Sequence, residues 1–138
     1  MAGEINGTPV VVKKGGSEIV GQMEVTVTYN GTPIDISNKS ALDNVTLLDA
    51  ELAGKQLQIS GTIVYNSDTV YRAVRAASLT GTQDTYTIEY VSDATTDESF
   101  SASMVPTGLS DSIPHGDKVS TSLTLLSSGV ITHTAAVT

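Results

Sequence analysis

The chain has 138 residues, 15 acidic against 7 basic side chains and a net charge of −8, with one Phe, no Trp and no Cys. That length fits a single domain over residues 1–138, long enough to bury its own core. The missing cysteines exclude disulfides and thiolate metal sites, and the acidity opposes tight binding of nucleic acid or anionic lipid. No stretch approaches the ~20 apolar residues that a bilayer span needs. The start, Met1-Ala2-Gly3-Glu4, lacks the basic and apolar regions of a secretory signal. These features lead us to expect a protein made in a cytoplasm, with no membrane partner.

With so few aromatic residues, Val, Ile, Leu and Ala must fill the core, and the many β-branched residues favour strands. A short strand is expected at 10–13, followed by a turn at Gly15-Gly16. Met23, Val25, Val27 and Tyr29 alternate with Glu24, Thr26 and Thr28, the period of a half-buried antiparallel strand. Asn30-Gly31-Thr32-Pro33 carries the strongest short hairpin signal, and a further strand is expected at 34–38. Residues 40–54 hold Leu42, Leu47, Leu48 and Leu52 beside Asp43, Asp49 and Glu51, with neither a strand nor a helix period. Two readings stand for them: a long functional loop exposing leucines for an interface, or a helical turn folded over its own sheet.

Leu57, Ile59, Ile63 and Tyr65 alternate with Gln58, Ser60 and Thr62, with Gly61 in the apolar phase. Residues 68–79 then switch to helical spacing: Val70, Tyr71, Val74 and Ala77 form a stripe, with Asn66 or Ser67 as N-cap and Gly81 as terminator. Strands return at Tyr86, Ile88 and Tyr90, at Phe100, Ala102 and Met104, at Val119 to Leu125, and at 130–133. Residues 92–99 and 106–116 read as loops, and Ser128-Gly129 as a tight turn.

No chemistry stands out. His115 and His133 are isolated, and no Gly-x-Ser-x-Gly elbow supports a serine nucleophile. Lys13-Lys14-Gly15-Gly16-Ser17 lacks phosphate-loop spacing. The acidic cluster at 93–98 does not match a calcium loop and reads as a solvated loop. No catalytic, cofactor or metal site is expected. The polar phases of the strands are more informative. Glu24, Thr26, Thr28, Gln56, Gln58, Ser60, Thr62, Thr85, Thr87 and Glu89 contain no Lys or Arg, whereas an ordinary solvent face mixes both signs. Such a hydroxyl- and amide-lined surface would hold no phosphate tightly. Few edge blockers guard the strands, so pairing between copies would remove the open edges.

Together these parts resemble the tail tube proteins of long-tailed bacteriophages and gene transfer agents. The resemblance rests on Val10-Val11-Val12-Lys13, on Glu24 to Tyr29, and on Ile34-Asp35-Ile36-Ser37-Asn38-Lys39. An irregular segment, a Gln/Ser/Thr strand, one helix and two terminal strands follow in the family's order. The resemblance implies a mainly β fold, an antiparallel two-sheet sandwich or barrel with one flanking helix at about 68–79 and an inter-ring loop at about 40–54. It implies a structural virion protein rather than an enzyme, assembled in the bacterial host cytoplasm into stacked hexameric rings of a hollow tail tube. Its partners would be other copies of itself, a tape-measure protein, tail tip or baseplate proteins and a tail terminator, with DNA passing through unbound. Leu42, Asp43, Leu47, Leu48, Asp49 and Leu52 would contact the adjacent ring, and the ten polar-phase residues named above would face the lumen. The alternatives are an Ig-like or carbohydrate-binding β-sandwich decorating a virion or cell surface, and a secretion-system tube protein.

Overall fold

A computed structural model describes residues 7, 9–38, 43–91 and 96–137. Seven strands and one helix follow in the order β1 (Val12–Lys14), β2 (Ser17–Glu18), β3 (Gln22–Asp35), β4 (Leu47–Val64), α1 (Thr69–Thr80), β5 (Asp84–Tyr90), β6 (Glu98–Ser112) and β7 (Ser120–Thr134). All pairings are antiparallel, and the strands form one sheet in the order β2-β1-β5-β6-β7-β4-β3. The mainly β, antiparallel character and the single short helix match the sequence reading. The expected division into two hydrogen-bonded sheets is replaced by one open sheet wrapped around its core.

The wrapping follows from the alternation. Leu57 and Ile59 of β4, Tyr86 and Ile88 of β5, Met104 of β6 and Leu125 of β7 lie in one buried cluster with Val12 of β1. Strands from both ends of the sheet therefore meet across a shared core. Gln22 bridges the gap between those ends. Its Nε2 donates to the carbonyls of Val12 and Ile19, each at 2.8 Å, and its Oε1 accepts from the Val12 N–H at 3.0 Å. One amide side chain thus supplies what a strand pairing would otherwise give, because buried backbone groups need partners. Tyr29 of β3 stands 6.5 Å from Phe100 of β6, a second tie across the core.

Bulges let the strands run much further than the sequence suggests. Gly129 (φ 82°) lies in a register shift of β7 rather than in a turn, and Gly108 (φ 68°) lies in one of β6, inside the expected loop. Left-handed glycines serve bulges as readily as turns, so composition alone could not separate the two. Asn30-Gly31 also lies within a strand. A Cβ on Gly31 would come within 2.9 Å of the Leu52 side chain, so that glycine serves close packing and not a hairpin turn.

The helix matches its expected extent. Its N-cap is Asp68, not Asn66 or Ser67: the Asp68 carboxylate accepts from the Val70 N–H at 3.1 Å. Asn66 acts one step earlier, accepting from the Asp68 N–H at 2.9 Å. Gly81 (φ 73°) ends the helix, as read. Tyr71, Val74 and Ala77 face the core, and polar contacts fix the same face. Arg75 reaches both carboxylate oxygens of Asp111, at 2.9 and 3.0 Å, and lies over the Tyr65 ring at 5.0 Å. Buried Thr121 bridges Tyr71 Oη (2.6 Å) and Asp111 Oδ1 (2.7 Å). The Arg75 guanidinium and then the Thr121 hydroxyl hold the Asp111 carboxyl below its usual range.

Candidate assembly surfaces

Three surfaces answer to the sequence expectations. The first is an arm. β4 pairs with β7 only over Gln58–Val64, opposite Ser120–Leu126. The sheet forks just beyond, where the Leu57 N–H donates to Ser127 Oγ at 2.8 Å and strand pairing between β4 and β7 ends. Past that point β4 pairs with β3 alone, from Asn30↔Gln56 to Asp35↔Leu47. The expected loop at 40–54 is therefore largely strand: residues 47–54 form one side of a two-stranded ribbon. Leu42 lies outside the described residues. Asp43 precedes the strand with φ 67°, and Ala50 within it has φ 59°, a left-handed backbone that side chains seldom adopt. The irregular apolar spacing that hid this strand comes from the register, which slips twice against β3.

Leu47, Leu48 and Leu52 on this arm are 48%, 40% and 39% exposed, far more than core leucines such as Leu57 at 0%. With Tyr29 and Pro33 they line an open groove of about 500 Å³. Asp49 and Glu51 lie between the leucines and make no ion pair among the described residues. The helical-turn reading of this segment does not hold, since its leucines cover no core.

The second surface is a polar panel. Cross-strand partners share a face, and the register aligns two rows across four strands. One row is Glu24, Thr62, Ser122 and Ser110; the next is Thr26, Ser60, Thr124 and Thr107. Thr28 faces Gln58, and Asn30 faces Gln56. The hydroxyls of Ser60 and Thr124 lie 3.4 Å apart. Seven of the ten polar-phase residues, those on β3 and β4, thus belong to one surface. Ser122 and Thr124 of β7 extend it, with Thr107 of β6; the polar phase of the β7 pair was visible in the sequence, but Thr107 fell in an expected loop and the register that places all three there was not visible. Thr85, Thr87 and Glu89 are set apart on β5, opposite Ser103, Ser101 and Ser99. Both strips lie on the core-averted face of the one wrapped sheet, the panel towards its β3 end and the β5 strip on the other side of β6.

The third feature is a pair of open edges on that panel. β3 has no neighbour beyond β4. β5 pairs with β6 only up to Met104, which leaves β6 unpaired on that side from Val105 onward. Pro106 sits on this open stretch, a position proline tolerates because no ladder N–H is required of it.

The histidines hold no site. His133 Nε2 lies 2.7 Å from Glu98 Oε2, its ring is against Phe100, and His115 is in the exposed β6–β7 turn. Among the described residues no cluster of His, Asp and Glu could hold a metal ion. The acidic segment at 93–98 lies partly outside the described residues. Among the described residues no helix is long and apolar enough to cross a membrane.

This long-stranded antiparallel sheet with one flanking helix is similar in fold to solved tail and tail tube structures. It matches a chain in the virion of a native gene transfer agent particle (TM-score 0.77, 18% identity) over 96% of this chain and 100% of that one. It also matches a chain in the tail of an empty gene transfer agent particle with C6 symmetry (TM-score 0.77, 19% identity), with the same coverage. The SPP1 tail tube aligns at TM-score 0.69 and 11% identity, over 94% of this chain and 78% of that one. The likeness is one of fold, and it agrees with the resemblance to tail tube proteins read from the sequence. No protein-family model matches the sequence, and no curated protein is similar to it.

Proposed function

We propose that this protein is the structural subunit of a tail tube, working by self-assembly and not by catalysis. The observation that carries the reading is the four-strand polar panel with two open edges. An edge that stays unpaired invites association. Placing β3 of one copy beside the free stretch of β6 in the next would continue the sheet from subunit to subunit and close a ring. The six-fold symmetry of the similar gene transfer agent tail supports six copies per ring. The panel would then form the inner wall.

Glu24, Thr26, Thr28, Gln56, Gln58, Ser60 and Thr62 belong to this wall, and Thr85, Thr87 and Glu89 to the outer surface. A wall of hydroxyls, amides and carboxylates offers DNA no cation to grip, so DNA would slide through it. The arm, with Asp43, Leu47, Leu48, Asp49 and Leu52, would contact the adjacent ring. Before DNA, the lumen would hold a tape-measure protein; a tip or baseplate and a terminator would close the ends. Assembly would occur in the host cytoplasm.

Negative-stain electron microscopy over a concentration series tests the reading. Hollow tubes or stacked rings are the expected result. A monomer that persists at high concentration, even with tail-tip proteins added, would overturn it and favour a binding-module sandwich.

A further inference from the structure

Resting on the tube reading above, we infer that the arm of one copy docks on the helix-bearing end of the next copy, with Asp49 and Glu51 facing Arg72. The two surfaces lie at opposite ends of one strand. β4 begins in the arm at Leu47 and ends at Val64, and the chain enters α1 five residues later. At ~3.3 Å per residue, the ten arm residues 47–56 reach roughly 30 Å beyond the fork. Copies stacked head to tail along this direction bring an arm against a helix end at every junction.

The chemistry of the two ends is complementary. The arm exposes Leu47, Leu48 and Leu52 with two carboxylates that have no ion-pair partner among the described residues. At the helix end, Arg75 is occupied by Asp111, and Lys118 lies 3.8 Å from its neighbour Asp117. Arg72 is exposed and makes no ion pair among the described residues. It lies on the outer stripe of α1 with Thr69, Ala76 and Leu79, opposite the core-facing Tyr71 and Val74. Leu79 is 78% exposed, and Ile113, in the adjoining β6–β7 turn, is 76% exposed. An apolar surface with a free cation therefore stands where an apolar surface with free carboxylates would arrive. The pairing also gives stacking a direction, because two arms or two helix ends would repel or leave charges unmatched.

A charge swap tests this. Arg72→Glu is expected to raise the protein concentration needed for tubes about fivefold or more, since exposed ion pairs are individually modest but recur at every contact. The double variant Asp49→Lys with Glu51→Lys should do the same. Combining all three substitutions should restore tubes towards the wild-type threshold. Tubes from Arg72→Glu at the wild-type threshold, or no recovery in the combined variant, would overturn the inference while leaving the tube reading intact. Absence of tubes from the wild type would instead sink the tube reading. Circular dichroism melting identifies any variant that fails to fold, and Arg72→Gln, which removes charge without reversing it, then replaces it and should raise the threshold about twofold. Raising the salt concentration should weaken wild-type stacking more than that of Arg72→Gln; equal weakening would count against the pairing.

Discussion

Arg75 offers the most direct test of how the helix is held. Arg75→Ala removes a two-pronged contact to Asp111 at 2.9 and 3.0 Å, a donor to Tyr71 Oη at 3.2 Å, and the stack over Tyr65 at 5.0 Å. The Arg75 and Asp111 side chains retain 23% and 26% of their exposure, so solvent screens the pair in part. A partly screened, charge-assisted contact is worth ~1–2 kcal/mol and the ring stacking ~0.5–1 kcal/mol. The expected loss is about 1.5–3 kcal/mol, or roughly 5–10 °C in melting temperature for a chain of this size. Chemical denaturation followed by circular dichroism measures it. The same contact sets a pH dependence. The folded state holds the Asp111 carboxyl below its ordinary value of 3.8. A depressed carboxyl contributes stability above that value and loses it as pH falls below it. Wild type should therefore lose more stability than Arg75→Ala between pH 5 and pH 2. A loss under ~0.5 kcal/mol, with parallel pH profiles, would mean that Tyr71, Val74 and Ala77 hold the helix unaided.

Other outcomes follow from the surfaces. Leu47→Asp or Leu48→Asp should change melting little, since both leucines are exposed, yet block stacking into tubes; a large drop in melting temperature would place them in a core instead. Gln58→Lys and Thr26→Lys should permit tubes but slow DNA passage, whereas Thr87→Lys on β5 should leave ejection kinetics unchanged. A slowdown from Thr87→Lys would reverse the assignment of inner and outer walls. Gln22→Leu strands the Val12 backbone groups and should cost ~2 kcal/mol by denaturant titration. Gly61→Val should cost about as much, because a Cβ there would lie 3.1 Å from the Glu24 carbonyl, which cannot move without shifting the strand.

Most period-two segments were legible because their apolar members reach the core: Ile59, Ile63, Tyr86, Ile88, Ala102, Met104, Leu123 and Leu125 are all buried, whereas Met23, Tyr29 and Tyr65 in the same phases are exposed. The helix was legible for the same reason at its own period. Strand length was not. Gly108 and Gly129 interrupt the alternation in sequence, yet each only shifts the register of a continuing strand. The arm was hidden because its leucines pack on no core, so nothing imposes a clean period on them. Grouping by polar phase joined β5 to β3 and β4, and the register sets the β5 residues on the other side of β6 from that pair, because phase says which residues turn away from a core and not where along a wrapped sheet they stand.

The fork at Ser127 has a mechanical consequence. β4 passes from the arm into the core without a break, flanked by β3 and, over its second half, by β7. Tension applied to the arm therefore runs along the strand axis, while the ladder hydrogen bonds lie across it. The bonds are loaded in parallel, as in a lap joint, and must slide together before the strand can yield. In the tube proposed above, a pull from one end would pass its load along β4 into the core of each subunit.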